Sequence, residues 1–204
     1  MYTPDIYKNE NQEEIEKFLQ ENSFGILINQ TNGKLWATHI PLELAINRKG
    51  KAILEGHISK ENLQWNGFLE SNEVLAVFLG PHSYISSSWY DHENVPTWNY
   101  IAVHVYGKLK IIEGQAVIES LKKLVNKYEQ KYENPTRIED LSEKTMLQAR
   151  GIVAFEIEID EIQATRKMSQ NRDSKNYQNI ISELEKNNTA DSLATANEMK
   201  KCPM

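Results

Sequence analysis

One cysteine, Cys202, is all the thiol chemistry this 204-residue chain carries. No intrachain disulfide can form, a zinc centre built of thiolates is excluded, and a reducing cytoplasm is the expected compartment. The sequence also lacks a cationic n-region followed by an apolar run, and nowhere holds eighteen consecutive apolar residues, so neither export nor membrane insertion is expected. Basic charge is scarce. With 23 Lys and Arg against 29 Asp and Glu, the net charge of -6 offers no cationic face for DNA phosphates or anionic lipid. Absent too are a G-x-G-x-x-G after a strand, a G-x-x-x-x-G-K-[ST], a G-x-S-x-G and an H-E-x-x-H. Their absence disfavours a Rossmann dehydrogenase, a P-loop NTPase and an α/β-hydrolase.

What remains is an ordinary globular balance, 40% hydrophobic and 25% charged, long enough for one sizeable core. A single domain is expected over residues 1–186. From Asn187 onward the chain is polar with few apolar anchors, so 187–204 reads as a disordered tail. Asn11 and Glu14 resemble a capping box ahead of Ile15, Phe18 and Leu19 at helical spacing. FGILIN and KLWATHIP flank Thr31-Asn32-Gly33, a hairpin signal because Asn-Gly supplies the positive φ of such turns. KAILEGHI predicts a third strand, Ser59 caps an expected helix toward Ser71, and VLAVFLG returns as a buried strand. IAVHVYGKLKII alternates, as does IVAFEIEIDEI, whose outer acidic residues discourage edge pairing. Between them Val117, Leu121, Leu124, Val125, Tyr128 and Tyr132 recur at helical spacing until Pro135. A short helix is expected over Ser142 to Arg150, and another carries Tyr177, Ile180, Ile181 and Leu184. The rhythm of short strands suggests a barrel or sandwich.

The segment from Gly80 to Gly107 holds three of the five histidines, two of the four tryptophans and four of the nine tyrosines. Trp89, Tyr90, Trp98 and Tyr100 could stack on a planar ligand, or plug a barrel end or subunit interface. The interleaved donors Ser83, Ser86, Ser87, Ser88, Thr97 and Asn99 favour a pocket, since a plug has little use for them. His39, His57, His82, His92 and His104 lie in different elements with no close pair, which disfavours a metal site. Ser169, Gln170, Asn171 and Arg172 could hold a phosphate or cap the following helix.

Seven blocks taken in order carry a resemblance: MYTP, THIP, GHISKENLQW, FLGPHSYISSSWY, VPTWNYIAVHVYG, GIVAFEIEIDEI and KMSQNR. Together they resemble the PaiB family of FMN-binding negative transcriptional regulators, over nearly all of residues 1–184. One departure is Ser87, where many relatives have proline. The resemblance implies a mainly β fold with flanking helices, an FMN-binding split β-barrel, and a cytoplasmic homodimer with flavin held between subunits. It also implies a role in repressing protease synthesis and sporulation. Carried onto this chain, Thr38, His39, Gly56, His57, Ser59 and Asn62 would form one wall of the flavin site. Tyr84, Ser86, Trp89, Tyr90, Thr97, Trp98, Asn99 and His104 would form the other, joined by Ser169, Gln170 and Asn171. A flavin-dependent oxidoreductase or flavin reductase is the alternative on the same barrel, with His57, Tyr84 or His104 as proton donor. A haem protein ligated through His104 stands behind it. Direct DNA binding is disfavoured, because no helix-turn-helix pattern appears and the only basic pairs are Lys122-Lys123 and Arg166-Lys167.

Overall fold

The Asn-Gly signal closes a two-residue hairpin. In a computed structural model, which describes residues 1–201, β1 (Phe24–Thr31) pairs in antiparallel register with β2 (Lys34–Pro41), Thr31 opposite Lys34. Asn32 and Gly33 take φ of 51° and 73°, the left-handed values that two-residue hairpins need. Cys202 lies outside the described residues. Ahead of the hairpin, α1 (Gln12–Glu21) begins where Asn11 Oδ1 accepts the Glu14 amide at 3.3 Å.

After the hairpin come β3 (Glu43–Ile46), β4 (Ala52–Ser59), α2 (Gly67–Glu70), β5 (Glu73–Ile85) and β6 (Thr97–Ile112). They are followed by α3 (Gln115–Glu129), α4 (Glu143–Met146), β7 (Ile152–Lys167), α5 (Ser174–Asn187) and α6 (Ala190–Lys200). The strands form one seven-stranded antiparallel sheet in the order β2-β1-β5-β6-β7-β4-β3. It is flanked by helices, the mainly β class expected, and its ladder ends at β2 and β3 without closing.

Internal contacts divide the chain into two compact units. The first comprises Leu19–Val77 and Val105–Ile162; the second comprises Met1–Phe18, Phe78–His104 and the described residues from Gln163 onward. In the first, Leu27, Leu42, Ile53, Leu54, Phe155 and Ile157 are fully buried, and Phe68 meets Phe155 edge-on with ring centroids 5.6 Å apart. Gly107 sits where a Cβ would fall 2.3 Å from the Glu158 carbonyl oxygen, so only glycine lets β6 and β7 approach this closely. The core of the second is built from Ile85, Tyr90, Ile101, Met168, Tyr177, Ile180, Ile181, Leu184, Ala196 and Met199.

Two expectations are corrected. Ser59 does not cap a helix: its Oγ accepts the Glu61 amide at 3.2 Å, and Asn62 caps a 3-10 turn over Leu63–Asn66 instead. That turn leads into the single turn of α2, where a Cβ on Gly67 would lie 2.3 Å from Thr31 Oγ1, a contact fixing the entry of the chain. The stretch from Asn187, expected to be a disordered tail, carries α6. Thr189 and Ser192 form a reciprocal capping box, and Ala196 and Met199 are fully buried. The Tyr177 hydroxyl donates to the Met199 carbonyl at 2.7 Å, fastening α6 to α5.

Candidate functional site

Of the residues expected to bind flavin, the six from Thr38 to Asn62 lie in the first unit. Asn62 Nδ2 donates to Thr38 Oγ1 at 2.9 Å while its Oδ1 accepts the Gln64 amide at 3.0 Å, so both side chains are committed to the 3-10 turn. His39 is exposed and stacked on Phe24, centroids 6.4 Å apart. Gly56 is buried; a Cβ there would fall 2.9 Å from Leu42 Cδ2, which makes its role close packing. Its neighbour His57 lines a cavity of about 140 Å³ with Gly56, Leu44, Leu124, Lys123 and Lys127. The flanking carboxylates are paired, Glu55 with Lys123 at 2.7 Å and Glu43 with Lys127 at 2.5 Å. Burial pushes the His57 imidazole below the usual histidine pKa.

The second unit holds the rest, and strand alternation sorts them. Along β5 the buried positions Val74, Ala76, Phe78 and Gly80 are even-numbered, but beyond Pro81-His82 they become Ser83 and Ile85. This change of phase turns Tyr84 outward, 48% exposed. On β6, Trp98 is likewise 53% exposed. Its ring meets Tyr84 edge-on at 6.0 Å and His82 at 6.2 Å, giving an exposed aromatic strip of three rings.

One residue along from Trp98, Asn99 faces inward and is 0% exposed. Its Oδ1 accepts the Ser169 hydroxyl at 3.0 Å and its Nδ2 reaches Met199 Sδ at 3.5 Å. Ser169 is itself buried and takes a left-handed φ of 58°. The structure thus brings these two donors together in the core rather than on a surface. Gln170 Oε1 accepts the Met168 amide at 2.7 Å and its Nε2 donates to the Arg166 carbonyl at 2.7 Å, closing the turn before Asn171, which is exposed. Ser86 caps the 3-10 turn Ser87–Trp89 by accepting the Ser88 amide at 3.2 Å. Trp89 packs on the core while its carbonyl accepts Asn179 Nδ2 at 2.6 Å. Tyr90 is buried, with the Arg172 guanidinium 5.1 Å above its ring.

Thr97 Oγ1 accepts from the Lys167 ammonium, a residue that position in sequence did not single out. Burial, and then the N-terminal ammonium, hold His104 below the usual histidine pKa. Among the described residues no group of three or more His, Cys, Asp or Glu is placed to hold a metal ion, and no helix is long and apolar enough to cross a membrane.

Comparison with known proteins gives this arrangement a context. The family model described as "Putative FMN-binding domain" matches residues 1–161. The protease synthase and sporulation protein PAI 2 of Bacillus subtilis is 45% identical over 204 residues, covering 98% of each chain. Among solved structures, the FAD and heme binding protein of Mycobacterium smegmatis superposes with a TM-score of 0.62 at 15% identity, covering 84% of this chain and 78% of that one. The flavocytochrome Anf3 of Azotobacter vinelandii gives a TM-score of 0.59 at 16% identity, covering 85% and 75%. At that identity the likeness concerns the fold, a split barrel. Domain match and sequence identity over nearly the whole length agree with the seven blocks met in the sequence: the chain belongs to the PaiB family.

Proposed function

We propose that this protein is a cytoplasmic FMN-binding homodimer that acts in negative regulation of protease synthesis and sporulation. The observation that carries the flavin reading is the strip His82–Trp98–Tyr84. Trp98 lies within 6.2 Å of both His82 and Tyr84, and the strip, with Trp98 and Tyr84 about half exposed, presents planar apolar surface with polar edges. An isoalloxazine fits such a surface, because offset or edge contacts between rings add about 1 kcal/mol each beyond burial. The description of the matching domain and the 45% identity to PAI 2 of Bacillus subtilis support the same ligand and the same regulatory setting. Regulation through a metabolite or partner protein suits a chain of net charge -6 better than operator binding does.

The test is direct. Purified protein titrated with FMN should quench flavin fluorescence and shift the visible band at micromolar concentration, and light scattering should give twice the chain mass. Free FMN unchanged by stoichiometric protein would refute the flavin reading.

A further inference from the structure

Strand register in the first unit lays three carboxylates abreast. Glu43 on β3 stands opposite Glu55 on β4, and Glu55 stands opposite Glu156 on β7. Residues directly opposite share a sheet face with Cβ atoms about 5 Å apart, so like charges there repel. Helix α3 relieves two of the three. Lys127 pairs with Glu43 at 2.5 Å, where the Tyr128 hydroxyl also donates at 2.9 Å, and Lys123 pairs with Glu55 at 2.7 Å. The third carboxylate, that of half-buried Glu156, has no ion pair or side-chain hydrogen bond among the described residues.

Glu156 lines a cleft of about 370 Å³ whose apolar wall is supplied by Ile46, Ile112 and Ala116. Lys110 lines the same cleft, is exposed, and likewise forms no ion pair among the described residues, so its charge and that of Glu156 do not meet. The other charges of the cleft are engaged. Arg48 pairs with Glu119 at 3.5 Å, and Lys51 pairs with Glu158 at 2.6 Å. Lys51 first, then Lys49 and Lys108 on either side, hold the Glu158 carboxyl below the usual carboxylate range, which accounts for Lys49 as well.

One unmatched carboxylate and one unmatched ammonium on an apolar-walled cleft fit a ligand that carries both opposite charges, whereas a simple ion would satisfy one group and leave the other. We propose that this cleft binds a zwitterion, an α-amino acid or short peptide, whose ammonium meets Glu156, whose carboxylate meets Lys110 and whose side chain lies against Ile46, Ile112 and Ala116. The site goes beyond the flavin reading and does not depend on it, since none of these residues belongs to the walls expected for flavin. Its two polar contacts differ in weight. Glu156 is half-buried, so its contact is worth about tenfold in affinity, while solvent screens that of exposed Lys110 to about threefold.

The experiment is calorimetric titration of the full chain with leucine and with glycyl-leucine. Each is also tested as its amide, which lacks the carboxylate, and as its des-amino acid, which lacks the ammonium. Wild type should bind at least one of the two zwitterions at millimolar concentration or tighter, the tighter one identifying amino acid or peptide as the ligand. Glu156→Gln should weaken that binding about tenfold and Lys110→Met about threefold. The amide should bind Lys110→Met and wild type equally, and the des-amino acid should bind Glu156→Gln and wild type equally, because each ligand already lacks the group whose partner is removed. Glu156→Gln should melt no lower than wild type, since it removes repulsion from Glu55, and lost binding in it is then not misfolding. Absence of binding of both zwitterions to wild type, unchanged binding in Glu156→Gln, or an amide that binds wild type as tightly as its parent overturns the proposal.

Discussion

Asn99 and Trp98 are adjacent on β6, and their substitution should have opposite consequences. Asn99→Ala removes the acceptor of the Ser169 hydroxyl, which is 3.0 Å away and buried with it. Leaving that hydroxyl unpaired costs about 1–3 kcal/mol. The lost amide volume, on the order of 40 Å³ at about 24 cal/mol per Å³, adds roughly 1 kcal/mol. The total, about 3 kcal/mol, corresponds to a melting temperature lower by about 6–12 °C in a chain of this size. Trp98→Ala acts on a side chain that is 53% exposed, so the loss of stability should stay below about 1 kcal/mol. On the flavin reading, however, it removes a stacking surface, and FMN affinity should fall about tenfold. Urea unfolding followed by circular dichroism, paired with FMN titration at a temperature where both variants are folded, measures the two effects separately. If Asn99→Ala were as stable as wild type yet deficient in FMN binding, Asn99 would be a ligand contact and its assignment to the core would be wrong.

Gly107→Ala should cost about 3 kcal/mol in urea unfolding, because the added methyl would fall 2.3 Å from the Glu158 carbonyl oxygen, which belongs to the backbone and cannot swing aside. Gly151→Ala, with nothing within 4 Å, should be close to neutral in the same assay. Tyr177→Phe should lower the stability by about 1–2 kcal/mol, since it removes the buried hydroxyl that donates to the Met199 carbonyl, and hydrogen exchange should show α6 opening before α5. His57 gives a pH signature. Its folded pKa is depressed by burial, so above about pH 6.5, where imidazole is neutral in folded and unfolded chain alike, it contributes nothing. As pH falls below that value the unfolded chain takes up the proton first and stability declines, levelling once the folded imidazole is also protonated. Urea midpoints of wild type and His57→Gln measured from pH 7.5 to 5 should therefore diverge on the acid side; parallel profiles would exclude the effect.

Local signals in the sequence carried far. Asn32-Gly33 placed the first hairpin because a two-residue turn is decided by its own φ values. The stripe from Val117 to Tyr128 placed α3, and the alternation of Val153, Phe155 and Ile157 placed β7, because periodicity reports which face is covered. What stayed hidden depends on partners distant in the chain. Four residues of β3 are too few to show a period, and their strand character comes from pairing with β4. In α6 the buried face includes Ser192 and Thr195 beside Ala196 and Met199, so polar residue types conceal a packed helix. Asn99 and Ser169 are 70 residues apart, and nothing local to either announces that they satisfy each other. Lys167 was overlooked as a single residue because its position opposite Thr97 exists only once β6 and β7 are side by side.

The aromatic and donor-rich segment from Gly80 to Gly107 invited a choice between plug and pocket, and strand geometry makes that choice residue by residue. A strand turns successive side chains to opposite faces, so one stretch of sequence can serve a core and a surface together. Ile85, Tyr90, Asn99 and Ile101 are buried, while His82, Tyr84 and Trp98 stand on the other side, Tyr84 brought there by the change of phase after Gly80. Donors that look like ligand contacts in the sequence are therefore divided, with Asn99 holding the fold and Thr97 meeting a cation. On the flavin reading, folding and binding would draw on different residues of the same strand, Asn99 for the first and Trp98 for the second. Substitutions at Asn99 and Ile101 should then lower stability and one at Trp98 should lower affinity, whereas a site built into a single buried pocket would lose both at once.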